Sequence, residues 1–122
     1  MSRMYESAEQ QALFRWAALS ERAHPELELM YHIPNEGVRT AANGARLKAE
    51  GMRAGVPDIC LPVARGSYNA LYIELKAGKN KPTEAQEKWI AALNAAGNLA
   101  VVCWGWEAAK KTIETYLGRT EG

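Results

Sequence analysis

The chain has 122 residues, 48% hydrophobic and 24% charged, with a formal net charge of +1. That is the composition and length of one ordinary globular domain, residues 1–122, and it excludes a low-complexity chain. A charge so close to zero also excludes binding of nucleic acid by bulk charge, so any basic footprint has to be local.

In chain order, residues 5–22 place Leu13, Trp16, Ala17 and Ser20 at the 3.6 period, which predicts a helix closed by Pro25. Residues 27–33, Leu-Glu-Leu-Met-Tyr-His-Ile, read as a short strand, and Pro34 to Gly37 as a turn. Residues 40–51 form a weaker helical pattern ended by Gly51. Residues 58–63 read as a strand that stops near Pro62, which has no N–H to give to a ladder. Residues 64–69 are a turn joining it to a second strand, 70–76, and a loop follows over 77–82. A helix runs from Thr83 to Ala96 and is stopped by Gly97. Residues 99–104 are a buried strand, and 106–117 a last helix with Ala109, Ile113 and Leu117 on one face. The order α, β, α, β, β, α, β, α predicts an α/β fold with a mixed central sheet flanked by helices. Strand order cannot be read from it.

No apolar run approaches about 18 residues, so no membrane span or membrane partner is expected. The opening Met-Ser-Arg-Met-Tyr-Glu-Ser lacks the apolar stretch of a signal peptide. Cys60 and Cys103 sit in apolar strand-like runs and read as buried free thiols in a reducing compartment. Two cysteines and two histidines give no zinc spacing.

Several polar residues head faces that otherwise point inward. Glu74 and Lys76 lie two apart at the end of an apolar strand, so both point to one face. Glu6 and Gln10 begin the stripe that continues through Leu13 and Ala17, and Glu9 is an alternative inward acid. Gln86 heads the stripe Trp89, Ile90, Leu93, and Asp58 opens a strand directly after Pro57. Each also has a purely structural reading. Glu74 and Lys76 could pair at a sheet edge, worth about 0.2–1 kcal/mol. Thr83-Glu84-Ala85-Gln86 matches a capping box, Glu6 suits a helix N-terminus, and Asp58 suits a turn.

Together they suggest chemistry. Asp58 and Glu74 offer hard carboxylate oxygens of the kind Mg²⁺ or Mn²⁺ takes, with the Leu75 carbonyl as a further oxygen and water completing the shell. Lys76 beside such a centre would orient a water and stabilise charge on phosphorus.

The segments Gly55-Val56-Pro57-Asp58-Ile59 and Tyr72-Ile73-Glu74-Leu75-Lys76-Ala77-Gly78 resemble the signature of the PD-(D/E)xK nuclease superfamily. Residues 6–16, 32–37, 51–59, 73–78 and 83–93, taken in order, are more specifically similar to the VRR-NUC group. The resemblance implies a restriction-endonuclease-like αβββαβ core and a metal-dependent deoxyribonuclease. It implies Asp58 and Glu74 as metal ligands, Lys76 as the catalytic lysine, Glu6 facing the metal through water, and Gln86 close to the active site. Gln10 matches a position that is often polar. Residues 32–37, with His32 and Asn35, match the mouth of the site, although their pattern also suits a plain turn. His32 as a general base is an alternative that Lys76 and a metal make unnecessary.

Arg39, Arg46, Lys48 and Arg53 against the single acid Glu50, with Lys79 and Lys81 after the Glu-x-Lys strand, are the expected phosphate contacts. No base-reading module is visible. Stand-alone members of the group resemble two-fold homodimers that resolve four-way junctions, in the cytoplasm of bacterial or phage-infected cells. With no extra domain in the chain, branched DNA is the expected substrate. Interface candidates are residues 27–33 and the Trp104-Gly105-Trp106 segment. The alternatives are a flap, nicking or restriction-like nuclease, or a DNA-binding module without catalysis.

Overall fold

The structure is a computed structural model that describes residues 2–34 and 41–120. Helices α1 (Ser2–Leu19), α2 (Ala41–Ala49), α3 (Glu84–Ala95) and α4 (Trp106–Leu117) surround strands β1 (Tyr31–His32), β2 (Ile59–Leu61), β3 (Leu71–Lys76) and β4 (Leu99–Trp104). The strands form one sheet in the order β1-β2-β3-β4. The first two pairings are antiparallel, and β3 pairs with β4 in parallel through α3. This is the mixed sheet flanked by helices that the sequence pattern predicts.

Strand alternation decides what each face holds. Leu71, Ile73 and Leu75 of β3 point to one side, with Ile59 and Leu61 of β2 beside them. On that side α1 brings Leu13 and Ala17, and α4 brings Ala109, Ile113 and Tyr116, each set at helical spacing. On α4 the buried third residue is Tyr116, and Leu117 packs at the margin. The other side of β3 carries Tyr72, Glu74 and Lys76. Helix α3 lies there, tied to β4 by Asn94, whose amide bonds both the N–H and the carbonyl of Ala100 at 3.0 Å. Trp89, Ile90 and Leu93 are not fully buried, and neither is any other residue of α3.

Residues 27–33 do not form the expected strand. Pro25–Leu29 is a 3-10 helix, and pairing is limited to Tyr31 and His32. Pro25 stands in the first turn, where its missing N–H costs nothing, and the buried residues, Leu27 and Met30, are three apart. The segment closes the edge of the core. Strand β2 stops at Leu61, one residue before Pro62, as expected. Both cysteines are free and buried.

Candidate active site

The β2–β3 register, which pairs Ile59 with Ile73, sets Asp58 opposite Glu74 when continued by one residue. Pro57, fully buried, delivers the chain to that point. Asp58 lies just beyond the strand and takes over its ladder with a side chain: Oδ2 accepts from the Leu75 N–H at 2.9 Å. In a strand the N–H and C=O of one residue point to the same edge, so the Leu75 carbonyl also faces the Asp58 side. The Asp58 carbonyl accepts from Ile33 N at 2.6 Å and bonds His32 Nδ1 at 2.9 Å. A carbonyl only accepts, so Nδ1 carries a hydrogen.

Glu74 and Lys76 are both buried, at 2% and 6% exposure, so they are not a surface pair. Lys76 Nζ lies 3.6 Å from Glu74 Oε2. The same oxygen accepts from Gln86 Nε2 at 3.1 Å. Glu74 Oε1 is buried with no hydrogen-bond partner. Burial, and then the Asp58 carboxylate across the strands, push the Glu74 pKa up to about 8, against a downward pull from Lys76.

Gln86 performs both of its candidate roles. Its backbone N–H donates to Thr83 Oγ1 at 3.2 Å and its Oε1 accepts from Thr83 N at 2.8 Å, a complete capping box. With Oε1 committed to the helix start, the NH₂ group is the end that faces Glu74. The loop before Asp58 is pressed onto the same helix end. Gly55, at φ +93°, approaches Ala85 so closely that a Cβ would lie 2.7 Å from its backbone.

Glu6 does not join the two carboxylates, and among the described residues no group of three His, Cys, Asp or Glu side chains forms a metal cage. Glu6 Oε2 instead accepts from Asn80 Nδ2 at 3.2 Å, while the Asn80 carbonyl accepts from Trp104 Nε1 at 2.7 Å. Asn80 thereby pins the loop that carries Lys79 and Lys81, both exposed. The only signal of this asparagine in the sequence is its place between two lysines in the 77–82 loop. Glu9 is engaged elsewhere. Its Oε1 accepts from Trp106 N at 2.7 Å and caps α4, where Gly105 offers no side chain. Gln10 is half-buried on α1. Arg46 pairs with Glu50 at 3.1 Å, so its charge is partly compensated. Lys48 and Arg53 are exposed. Asn35 and Arg39 lie outside the described residues.

The donors that converge are all oxygens: two carboxylates and a carbonyl edge, with one carboxylate oxygen unpartnered in the interior. That set fits a small hard divalent cation that keeps several waters.

A family model described as the VRR-NUC domain matches residues 2–106. A solved structure described as a VRR-NUC domain protein is 30% identical, superimposes with a TM-score of 0.82, and covers 96% of this chain and 91% of its own. No curated protein matches. No helix among the described residues is long and apolar enough to cross a membrane.

Proposed function

The chain belongs to the VRR-NUC domain family and so carries a nuclease-family function, and from that premise we propose that it is a metal-dependent, structure-selective endonuclease that hydrolyses phosphodiester bonds in branched DNA such as four-way junctions. One observation carries the reading: Asp58 stands opposite a buried Glu74 with an unpartnered oxygen, and Lys76 lies alongside.

Asp58, Glu74 and the Leu75 carbonyl would hold Mg²⁺ or Mn²⁺. The bound ion would supply Lewis acidity toward a phosphoryl oxygen and a more acidic water. Glu74, with its pKa near 8, keeps a proton in the metal-free protein at neutral pH and gives it up when a cation enters. Lys76 holds its ammonium beside that carboxylate, where it orients the attacking water and meets the charge that builds on phosphorus. Gln86 fixes the Glu74 rotamer from the far side. Glu6 stands back from the ion and steadies the 77–82 loop through Asn80.

Lys48, Arg53, Lys79 and Lys81, with Arg46 in a lesser part, supply phosphate contacts that carry no sequence reading. A two-fold homodimer would make the paired incisions a junction needs. Both interface candidates expose large apolar side chains at an edge of the sheet, Leu29 (56%) and Tyr31 (50%) in 27–33 and Trp104 (48%) at the end of β4.

The deciding experiment incubates the protein with labelled linear, flap and four-way DNA, with and without Mg²⁺. Four-way DNA is cut with Mg²⁺ and not in chelator. Preferential cutting of flaps moves the assignment to a flap nuclease, and cutting in chelator removes the metal.

A further inference from the structure

Beside the two carboxylates the sheet carries a second row that the proposed chemistry does not use. Tyr31 pairs with Cys60, and Cys60 with Tyr72, so the three side chains stand in one cross-strand line. Tyr72 is two residues from Glu74 on the same face, one pleat or about 7 Å along the strand. Cys60, between the two tyrosines in that line, is 2% exposed. Tyr31 is 50% exposed and Tyr72 half-buried. Helices α1 and α4 and the 3-10 helix serve the opposite face, and α3 lies over β4. Tyr31 stands half-exposed on the edge strand β1, where packing does not call for an aromatic ring.

We infer that Tyr31 and Tyr72 form a stacking floor for one unpaired nucleotide attached to the scissile phosphate. The inference rests on the nuclease reading and narrows its substrate to DNA with an unstacked base at the cut. Three features carry it. The row is continuous with the Asp58–Glu74 row, so a phosphate held there delivers its own nucleoside onto the rings. Aromatic faces accept any base, which suits a protein without a base-reading module. A base inside continuous duplex is already stacked and cannot lie on them, whereas a base at a junction, gap or flap can.

The test measures affinity by fluorescence anisotropy in Ca²⁺, for a continuous duplex and for the same duplex with one unpaired nucleotide. Wild type prefers the second by about tenfold, Tyr31→Phe keeps the preference, and Tyr31→Ala loses it. With 5-iodouracil at the unpaired position, irradiation cross-links the DNA to Tyr31 or Tyr72, a readout that a merely structural role would not give. In Mg²⁺ the Tyr31→Ala loss falls on KM more than on kcat. If wild type cuts DNA while Tyr31→Ala shows the wild-type preference, the stacking floor is wrong and the nuclease reading stands. If wild type cuts nothing in the panel yet the binding preference tracks Tyr31, the nuclease reading fails and the floor remains. A change in the DNA-free sedimentation of Tyr31→Ala would assign the row to a second copy of the chain and overturn the inference.

Discussion

Strand β3 has a buried pairing of a basic side chain with a carboxyl group at each end, and the two are built differently. Before its start, Arg65 is enclosed in the β2–β3 turn. It donates to Glu26, to the Ala64 carbonyl at 2.8 Å and to the Leu117 carbonyl at 3.4 Å. The guanidinium thus joins the turn to the 3-10 helix and to the end of α4, and Gly66 N bonds Thr120 O in support. At the other end, Lys76 reaches Glu74 only at 3.6 Å, a second carboxylate faces the first, and Glu74 Oε1 has no partner. A buried ionisable group that is fully hydrogen-bonded is scaffold. One that is left short in the interior costs stability, and it persists where a ligand completes it.

The strongest way to break this contrast is to exchange the charges. The double variant Glu74→Lys with Lys76→Glu keeps the attraction between the two, so a structural pair would tolerate it. A site would not, because an ammonium would stand where the cation belongs. Cleavage of branched DNA should fall by at least about 10³-fold, as it should for Lys76→Ala, while folding by circular dichroism persists. A swapped protein that still cuts would place the active site elsewhere.

The opposite end should respond in stability instead. Arg65→Ala leaves Glu26 without its partner and the Leu117 and Ala64 carbonyls without their donor. Glu26 keeps 29% side-chain exposure, so the loss belongs at the low end for a broken buried pair, about 3 kcal/mol. Urea denaturation reads it, and activity per folded molecule should be retained. A large catalytic defect in a fully stable Arg65→Ala protein would remove the distinction between the ends.

The pH dependence sharpens the comparison at the Glu74 end alone. Its folded pKa is about 8 against about 4.5 in the unfolded chain, so the native state binds the extra proton. Stability of the metal-free protein is therefore highest below pH 4.5, as far as this group decides, and is lost as pH rises through 8. The contribution is on the order of 5 kcal/mol. Thermal melts in chelator should show that decline, and Glu74→Gln should flatten it. Adding Mg²⁺ at pH 8 should raise the wild-type melting temperature and leave Glu74→Gln unmoved. A wild-type melting curve flat between pH 5 and 8 would mean that Glu74 is ionised and satisfied.

Much of this site is legible in the sequence. Glu74 and Lys76 share a face by alternation alone, and of the two polar-headed stripes the one on α3 brings Gln86 to Glu74, whereas the one on α1 sends Glu6 to Asn80. What is not legible depends on register and on tertiary choice. That Asp58 stands opposite Glu74 follows from the Ile59–Ile73 pairing, which the sequence of a six-residue turn does not specify. Glu6 and Glu9 are three apart on one helix and share its face, so periodicity could not separate their roles. The α4 N-terminus took Glu9 and the loop took Glu6. The 27–33 segment alternates well enough for a strand, but its burial at Leu27 and Met30 has the period of a 3-10 turn. Gln86 is a different case. Its capping and site readings look mutually exclusive, yet one amide has two ends.

That double use gives the smallest and most specific prediction. Thr83→Ala removes the hydroxyl that accepts from Gln86 N, so α3 should lose about 1 kcal/mol, within the range for a lost cap. Gln86 would keep its bond to Thr83 N, but on a looser helix end, and cleavage should fall only a few-fold. Gln86→Glu does the reverse. Glutamate closes a capping box as well as glutamine, so stability should change little in the presence of metal. Its carboxylate, however, has no N–H to donate to Glu74 Oε2 and would set a third negative charge against the pair. Cleavage should then fall by more than tenfold, with the optimum moved to higher pH, because the added charge raises the Glu74 pKa further. The two variants touch adjacent atoms of one motif and should separate stability from activity. If Gln86→Glu cuts as wild type does, the bond from Gln86 to Glu74 is incidental, and the helix start alone accounts for the glutamine.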